Sequence, residues 1–162
     1  MIFPNTLNMQ ELITRFYTAF SIHDGGTMAN CYHPDAVFND EAFVNLKGKE
    51  PGLMWKMLLE RGKGSLNIRF TNVKATTEKG SADWVAEYTF SATGRKVVNH
   101  IHAEFVFKDG LIYRHTDSFN LHKWASQAFG FKGWLLGGFG FFRKKIQQTA
   151  RLGLEKYIQK HQ

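Results

Sequence analysis

An aspartate and a histidine two residues apart, Asp117 and His115, are the side chains best suited to chemistry in this 162-residue chain. On a strand such a pair shares one face. Both lie in the β-rich stretch 97–120, VVNHIHAEFVFKDGLIYRHTDSFN. A polar group taken out of water without a partner costs about 1–3 kcal/mol and a lone carboxylate costs more, so an inward-facing pair needs a reason to be there. Proton transfer is one such reason, because an apolar pocket disfavours the charged carboxylate and makes it useful near neutral pH. We therefore read Asp117 as a candidate acid/base and His115 as its orienting or relay partner. The plain alternative is that the two satisfy each other or a buried backbone group. Asp40 shares a strand face with Phe38 and becomes a third interior polar group if Phe38 points inward; otherwise it is a solvated strand end. Tyr88 offers either a pocket hydrogen bond or a bond to a backbone carbonyl.

The hairpin around Lys108-Asp109-Gly110 has to aim the pair. A two-residue Asp-Gly turn and a three-residue turn closed by a glycine bulge both fit, and they bring opposite sets of side chains together. The three-residue register gathers Ile101, Ala103, Phe105 and Phe107 with Leu111, Tyr113, His115, Asp117 and Phe119. It sends His100, His102, Glu104 and Val106 with Ile112, Arg114, Thr116 and Ser118 to the other face, with Glu104 opposite Arg114. The two-residue register mixes polar and apolar, so the sorted register is expected.

Upstream, Asn8 and Glu11 have capping-box spacing, and Met9, Leu12, Ile13, Phe16 and Phe20 recur at helical intervals, predicting a helix to about residue 22 that ends at Asp24-Gly25-Gly26. A short helix over 27–32 should stop at His33-Pro34 and a strand should run over 36–40. A third helix is expected over 49–61, with Leu53, Met54, Met57 and Leu58 on its stripe, Trp55 at a cavity edge and Gly62 beyond its end. From Leu66 the period becomes two: Leu66, Ile68 and Phe70, then Trp84, Ala86, Tyr88 and Phe90 after a turn at 78–80. The glycines and lysine at 62–65 lack the strand, helix and earlier glycine of a phosphate loop. Helices followed by a meander with one apolar face predict an α+β fold, with N-terminal helices packed on a strongly curved, mostly antiparallel sheet around a cavity.

The composition bounds the rest. Fifteen Phe, four Trp and five Tyr suit a large apolar interior, and one cysteine, Cys31, leaves no disulfide framework. The start, MIFPNTLNMQELI, lacks a secretory pattern, so a cytoplasmic location is expected. The net charge of +7 resides in residues 121–162, where eight Lys or Arg face one acid, Glu155. Without a recognised motif this charge does not argue for nucleic acid. His100-x-His102 with Glu104, between Gly94 and Gly110, faintly resembles a cupin motif, but the glutamate follows too closely and the register turns these groups outward; no metal or other cofactor is expected.

The helix RFYTAFSIHD, the entry CYHPDAVFND and the hairpin FVFKDGLIYRHTDSF resemble the nuclear transport factor 2-like superfamily, in particular its SnoaL-like, polyketide cyclase-related branch, over roughly 8–125. The resemblance implies a cone-shaped fold, an apolar pocket and homodimers formed through the sheet. It implies a domain over 1–125 and a basic, aromatic helical extension over 126–162 packed on the same domain or dimer. Asp40 falls where ketosteroid isomerases carry their proton-shuttling aspartate, but their oxyanion tyrosine corresponds to Phe16 and their second acid to Ala103 or His102, which argues against steroid isomerisation. Asp117 falls where limonene epoxide hydrolases and SnoaL-like cyclases carry an acidic catalytic residue. The hydrolases' arginine and second aspartate are missing from the strand with Trp84, Ala86 and Tyr88, and the cyclases' histidine would fall near Ala103 or His102.

The expected function is a small-molecule pocket protein, an acid/base enzyme of isomerase, cyclase or hydrolase type acting on a hydrophobic carbonyl or cyclic substrate. Asp117, His115 and Asp40 would be catalytic, and Tyr88, Trp84, Phe16, Trp55, Phe105 and Phe119 would contact substrate. The alternative is a non-catalytic module holding a hydrophobic ligand. In the tail, a helix over 121–129 carrying Trp124, a glycine-broken aromatic run and a basic helix over 142–161 are expected. Phe142, Ile146, Ala150, Tyr157 and Ile158 form one face of that last helix. Such a face is expected on the cone or across a dimer, with an anionic membrane surface as the less favoured alternative.

Overall fold

The computed structural model describes residues 6–162; residues 1–5, which include part of the segment read for a secretory signal and the start of the expected domain, lie outside it. The fold is α+β, with helices at both ends of the chain flanking a six-stranded mixed sheet. The sheet lacks the strong curl of the expected cone.

Helix α1 (Thr6–Ser21) buries Met9, Leu12, Ile13, Phe16, Tyr17, Ala19 and Phe20 along one stripe. It is already helical at Thr6, so Asn8 and Glu11 lie inside it and form no capping box. Asp24 instead caps α2 (Gly25–Asn30), accepting from the Thr27 N–H at 3.0 Å. The chain becomes extended earlier than expected, because β1 (Tyr32–Asn39) takes in Tyr32 and Pro34. Between Tyr32 and Val37 the ladder to its neighbour is interrupted, so the missing N–H of Pro34 costs no sheet hydrogen bond.

Strand β2 (Leu46–Lys47) leads to α3 (Glu50–Arg61), where Pro51 occupies the first turn. The buried face of α3 holds Met54, Trp55, Met57 and Leu59, while Leu53 and Leu58 are only half-buried. Trp55 thus sits in the core and not at a cavity edge. Strands β3 (Asn67–Ala75), β4 (Lys79–Phe90), β5 (Arg95–Lys108) and β6 (Leu111–Ser118) follow, and the order across the sheet is β2-β1-β6-β5-β4-β3. Only β1 and β6 run parallel.

The β5–β6 hairpin corrects the expected register. Asp109 and Gly110 both have positive φ, 54° and 73°, the signature of a two-residue type I′ turn, and Lys108 faces Leu111 and Phe107 faces Ile112. A one-residue bulge follows, after which Val106 faces Arg114, Glu104 faces Thr116 and Ala103 faces Asp117. The expected Glu104–Arg114 pairing is therefore absent. Ile112 is buried where Leu111 and Tyr113 were expected. With Ile112 inside, plain alternation would send Arg114 and Thr116 inward, and the bulge hands those places to His115 and Asp117.

Helix α4 (Leu121–Phe129) carries an Asn120 cap, and α5 (Phe131–Leu136) crosses it so closely that a Cβ on Gly133 would overlap the Ala125 carbonyl. Helix α6 (Gly140–Lys160) buries Leu154 and half-buries Phe142, Ile146, Ala150, Tyr157 and Ile158. Arg151 Nη1 reaches Glu50 at 2.7 Å, Tyr157 donates to Glu60 at 3.0 Å, and Arg143 pairs with Glu41. These contacts seat α6 on α3 and on the chain between β1 and β2.

Candidate functional site

His115 is fully enclosed. Its ring lies 4.4 Å from that of Phe105, 4.9 Å from Phe38, 5.6 Å from Phe16, 6.0 Å from Tyr32 and 6.1 Å from Trp55, measured between centroids. Both nitrogens are engaged, Nδ1 with the Tyr32 hydroxyl at 2.7 Å and Nε2 with Asp117 Oδ1 at 2.9 Å. Trp55 Nε1 donates to the same Tyr32 oxygen at 2.8 Å. Indole can only donate, which leaves the Tyr32 proton for His115 Nδ1 when Asp117 is ionised; Nε2–H then points at the carboxylate. Four side chains from α3, β1 and β6 thus form one directional chain ending at Asp117.

The far end of that chain is open. Asp117 is 3% exposed, and its Oδ2 finds no partner among the described residues. Two donors share this condition, Tyr17 Oη and Trp84 Nε1. Their rings lie 6.0 Å apart, and Tyr17 stacks on Phe70 and edges Phe105. Burial pushes the Tyr17 phenol well above its ordinary value, and the charge of Asp117 adds to the push. Across the sheet Asp117 faces Ala103 and Ala103 faces Ala82, so two small side chains flank it on the inner face. Two unpaired donors and one unpaired acceptor therefore occupy the same apolar interior, an arrangement that costs stability unless something else completes it.

Asp40 follows the end of β1, and its Oδ1 accepts from the Ala42 N–H at 2.7 Å and from the Phe43 N–H, folding the chain back toward β2. Burial raises its carboxyl to about 7, against the pull of those two donors and with help from the nearby charges of Asp117 and Glu41. Tyr88 accepts from Trp124 Nε1 at 2.7 Å, a side-chain partner from α4. Its phenol is also raised, by burial first and in smaller part by Asp40. Asp40 and Tyr88 thus lie within electrostatic reach of the site without touching His115.

Phe16, Trp55 and Phe105 pack around the imidazole, and Trp84 completes the aromatic layer against Phe20 and Trp55. Phe119 is half-buried and borders a surface groove of about 330 Å³ together with Leu121, His122, Phe139 and Arg143. Two other grooves, of about 540 and 490 Å³, lie along α1 and beside α6; none of the three is lined by Asp117 or His115. On the outer face His102 bonds Asp83 at 2.6 Å, and no three His, Cys, Asp or Glu side chains converge among the described residues.

Sequence reasoning missed Tyr32, Tyr17 and the donor role of Trp55. Tyr17 follows Ile13 by four residues, a spacing that placed it on the buried stripe. No such spacing marks Tyr32: its neighbour His33 is also buried, Pro34 is exposed, and the register to β6 shifts between Tyr32 and Val37.

Two expected outcomes follow from these bonds. Tyr32→Phe removes the acceptor of Trp55 and the donor to His115, and should lower stability by about 1–3 kcal/mol in urea unfolding. Asp40→Asn can still accept from Ala42 and Phe43 but cannot ionise. The folded Asp40 carboxyl titrates near 7 against an ordinary value of 3.8, so its stabilising contribution is full below about pH 4 and is lost as pH rises through 7. The variant should flatten the stability profile over that window and be more stable than wild type at pH 8, by on the order of 2 kcal/mol.

The fold has many solved relatives. A candidate polyketide cyclase from Xanthomonas campestris pv. campestris aligns with a TM-score of 0.63 and 21% identity over 76% of this chain and 98% of its own. One from Silicibacter sp. TM1040 gives 0.62 and 23% over 76% and 96%, and an M. tuberculosis LEH-like epoxide hydrolase gives 0.57 and 19% over 82% and 92%. At these identities the likeness is one of fold. No curated protein matches the chain in sequence. Residues 13–115 match the SnoaL-like domain, an interval that runs from the middle of α1 into β6 and ends at His115. The chain therefore belongs to the SnoaL-like family, within the nuclear transport factor 2-like fold.

Proposed function

We propose that this protein is an acid/base enzyme acting on a hydrophobic carbonyl compound, with Asp117 as the proton-transferring group. The observation that carries the reading is the uncommitted Asp117 Oδ2, buried while its sister oxygen is held by His115. A carboxylate oriented on one side and free on the other is what a general base requires. In the proposed reaction Oδ2 takes a proton from the carbon beside the carbonyl, and the electron pair moves onto the carbonyl oxygen. Tyr17 O–H and Trp84 N–H are the unpaired donors available to that oxygen. Return of the proton to a different carbon completes an isomerisation; in an aldol-type ring closure the enolate carbon instead forms its bond to a second carbonyl carbon of the same substrate, and the proton passes to the oxygen of that carbonyl. His115 holds Asp117 through Nε2, and Tyr32 and Trp55 hold His115; these are positioning residues. Asp40, with its carboxyl near neutrality, is the candidate for a second proton carrier.

Incubating the protein in D2O with a series of small apolar cyclic ketones tests this, with α-hydrogen exchange followed by proton NMR. Protein-dependent exchange above the buffer rate is the expected result. Saturable binding with no exchange would support the second reading, a hydrophobic-ligand module, in which polar atoms of the ligand complete Asp117 Oδ2, Tyr17 Oη and Trp84 Nε1. Neither binding nor exchange across the series would dismiss both.

A further inference from the structure

The segment from α5 to the start of α6 leaves its apolar side chains outside. Of the eight large hydrophobic residues exposed among the described residues, five fall between 131 and 141: Phe131, Trp134, Leu135, Phe139 and Phe141. Phe131 is 73% exposed and stacks on Trp134 at 5.8 Å, and Phe139 stacks on Phe141 at 5.6 Å. The stacked pairs therefore present their ring surfaces to solvent and not to the core. Two exposed stacked pairs within eleven residues make an apolar surface of the kind that a partner covers.

The charge carried by the segment itself is of one sign. No acidic residue occurs between Asp117 and Glu155, whereas Lys132, Lys144 and Lys145 lie within or beside the apolar group. Arg143 is occupied by Glu41, and Arg151 by Glu50 and Glu155, but no ion pair is formed by those three lysines among the described residues. The first turn of α6 has no acidic residue and no side-chain cap, so its free N–H groups add to the positive potential. Along the outer face of α6, Phe141, Lys145, Gln148, Leu152 and Lys156 recur at helical spacing, which alternates apolar anchors with cations. The inner face of the same helix is already committed to α3 and the core.

A second copy docking here would bring two cationic patches together. A membrane surface carrying anionic headgroups offers the opposite sign to the lysines and an apolar layer to the rings, the arrangement in which Trp and Phe seat at an interface while lysines reach the phosphates. Among the described residues no helix is long and apolar enough to cross a membrane, so such contact is confined to the surface.

We propose that residues 131–145 form a peripheral docking surface for an anionic phospholipid bilayer, with Phe131, Trp134, Leu135, Phe139 and Phe141 entering the interface and Lys132, Lys144 and Lys145 contacting the headgroups. This assignment is independent of the proton-transfer reading.

Co-sedimentation of the full chain tests it, using vesicles of equal parts phosphatidylglycerol and phosphatidylcholine beside vesicles of phosphatidylcholine alone. The protein is expected to bind the anionic vesicles, to release in high salt, and to bind the neutral ones at least about tenfold more weakly. Binding to the anionic vesicles should fall by a similar factor in W134S/F139S and in K144E/K145E, whose substituted side chains are exposed and whose thermal unfolding should match wild type. Trp134 fluorescence should shift to the blue on anionic vesicles, and W134F should lose that shift. No sedimentation with either vesicle overturns the proposal, as does binding unchanged in both double variants. Self-association in solution that W134S/F139S abolishes, without vesicle binding, would assign the patch to contact between copies instead.

Discussion

Asp117→Asn is expected to slow ketone α-hydrogen exchange by about 10²–10⁴, the range a positioned general base contributes. The substitution is informative because it spares the architecture. An asparagine carbonyl can still accept from His115 Nε2–H, so the chain through Tyr32 and Trp55 stays paired and thermal stability should change little. Removing the charge has a second, independent signature. Asp117 is one of the influences holding Asp40 near 7 and Tyr17 above its ordinary range. In the variant the Asp40 carboxyl should therefore titrate lower, which carbon-detected NMR of the side chain would report. Loss of exchange together with this shift supports the assignment of Asp117; undiminished exchange removes it.

His115→Ala should be the most damaging single change to the fold, costing about 4 kcal/mol in urea unfolding. The deletion opens a void among Phe16, Phe38, Trp55 and Phe105, and it leaves the Tyr32 O–H without an acceptor and both Asp117 oxygens without a donor in an apolar interior. His115→Gln, which retains a donor and an acceptor, should recover part of the loss.

Much of the fold was legible because it follows from periodicity. The stripe of α1, the alternation of Trp84, Ala86, Tyr88 and Phe90, the span of α3 up to Gly62 and the first and last tail helices emerged near their expected places, whereas α5 lies within the stretch read as a glycine-broken run. The errors came where two local rules competed. At Tyr32-His33-Pro34 the tendency of proline to end a helix was given too much reach, and a strand beginning two residues before Pro34 went unnoticed. At the hairpin neither uniform register matches the structure, because a two-residue turn is followed by a one-residue bulge. Tyr32 lay beyond sequence reasoning for a deeper reason. Its hydroxyl matters through residues 23 and 83 positions away, and no local pattern announces such a meeting.

The offset after Ile112 also limits how this chain can vary. It works as a reading frame for the inside of the sheet: adding one residue between Ile112 and His115, with the one-residue bulge kept, would give the interior the Arg114 and Thr116 side chains and turn the imidazole and carboxylate out into water. Exchange of one residue for another at Tyr113 leaves that frame intact, whatever the newcomer's chemistry. Length is therefore under tighter constraint there than identity, and the proton-handling end of the strand depends on a residue count as much as on its own side chains.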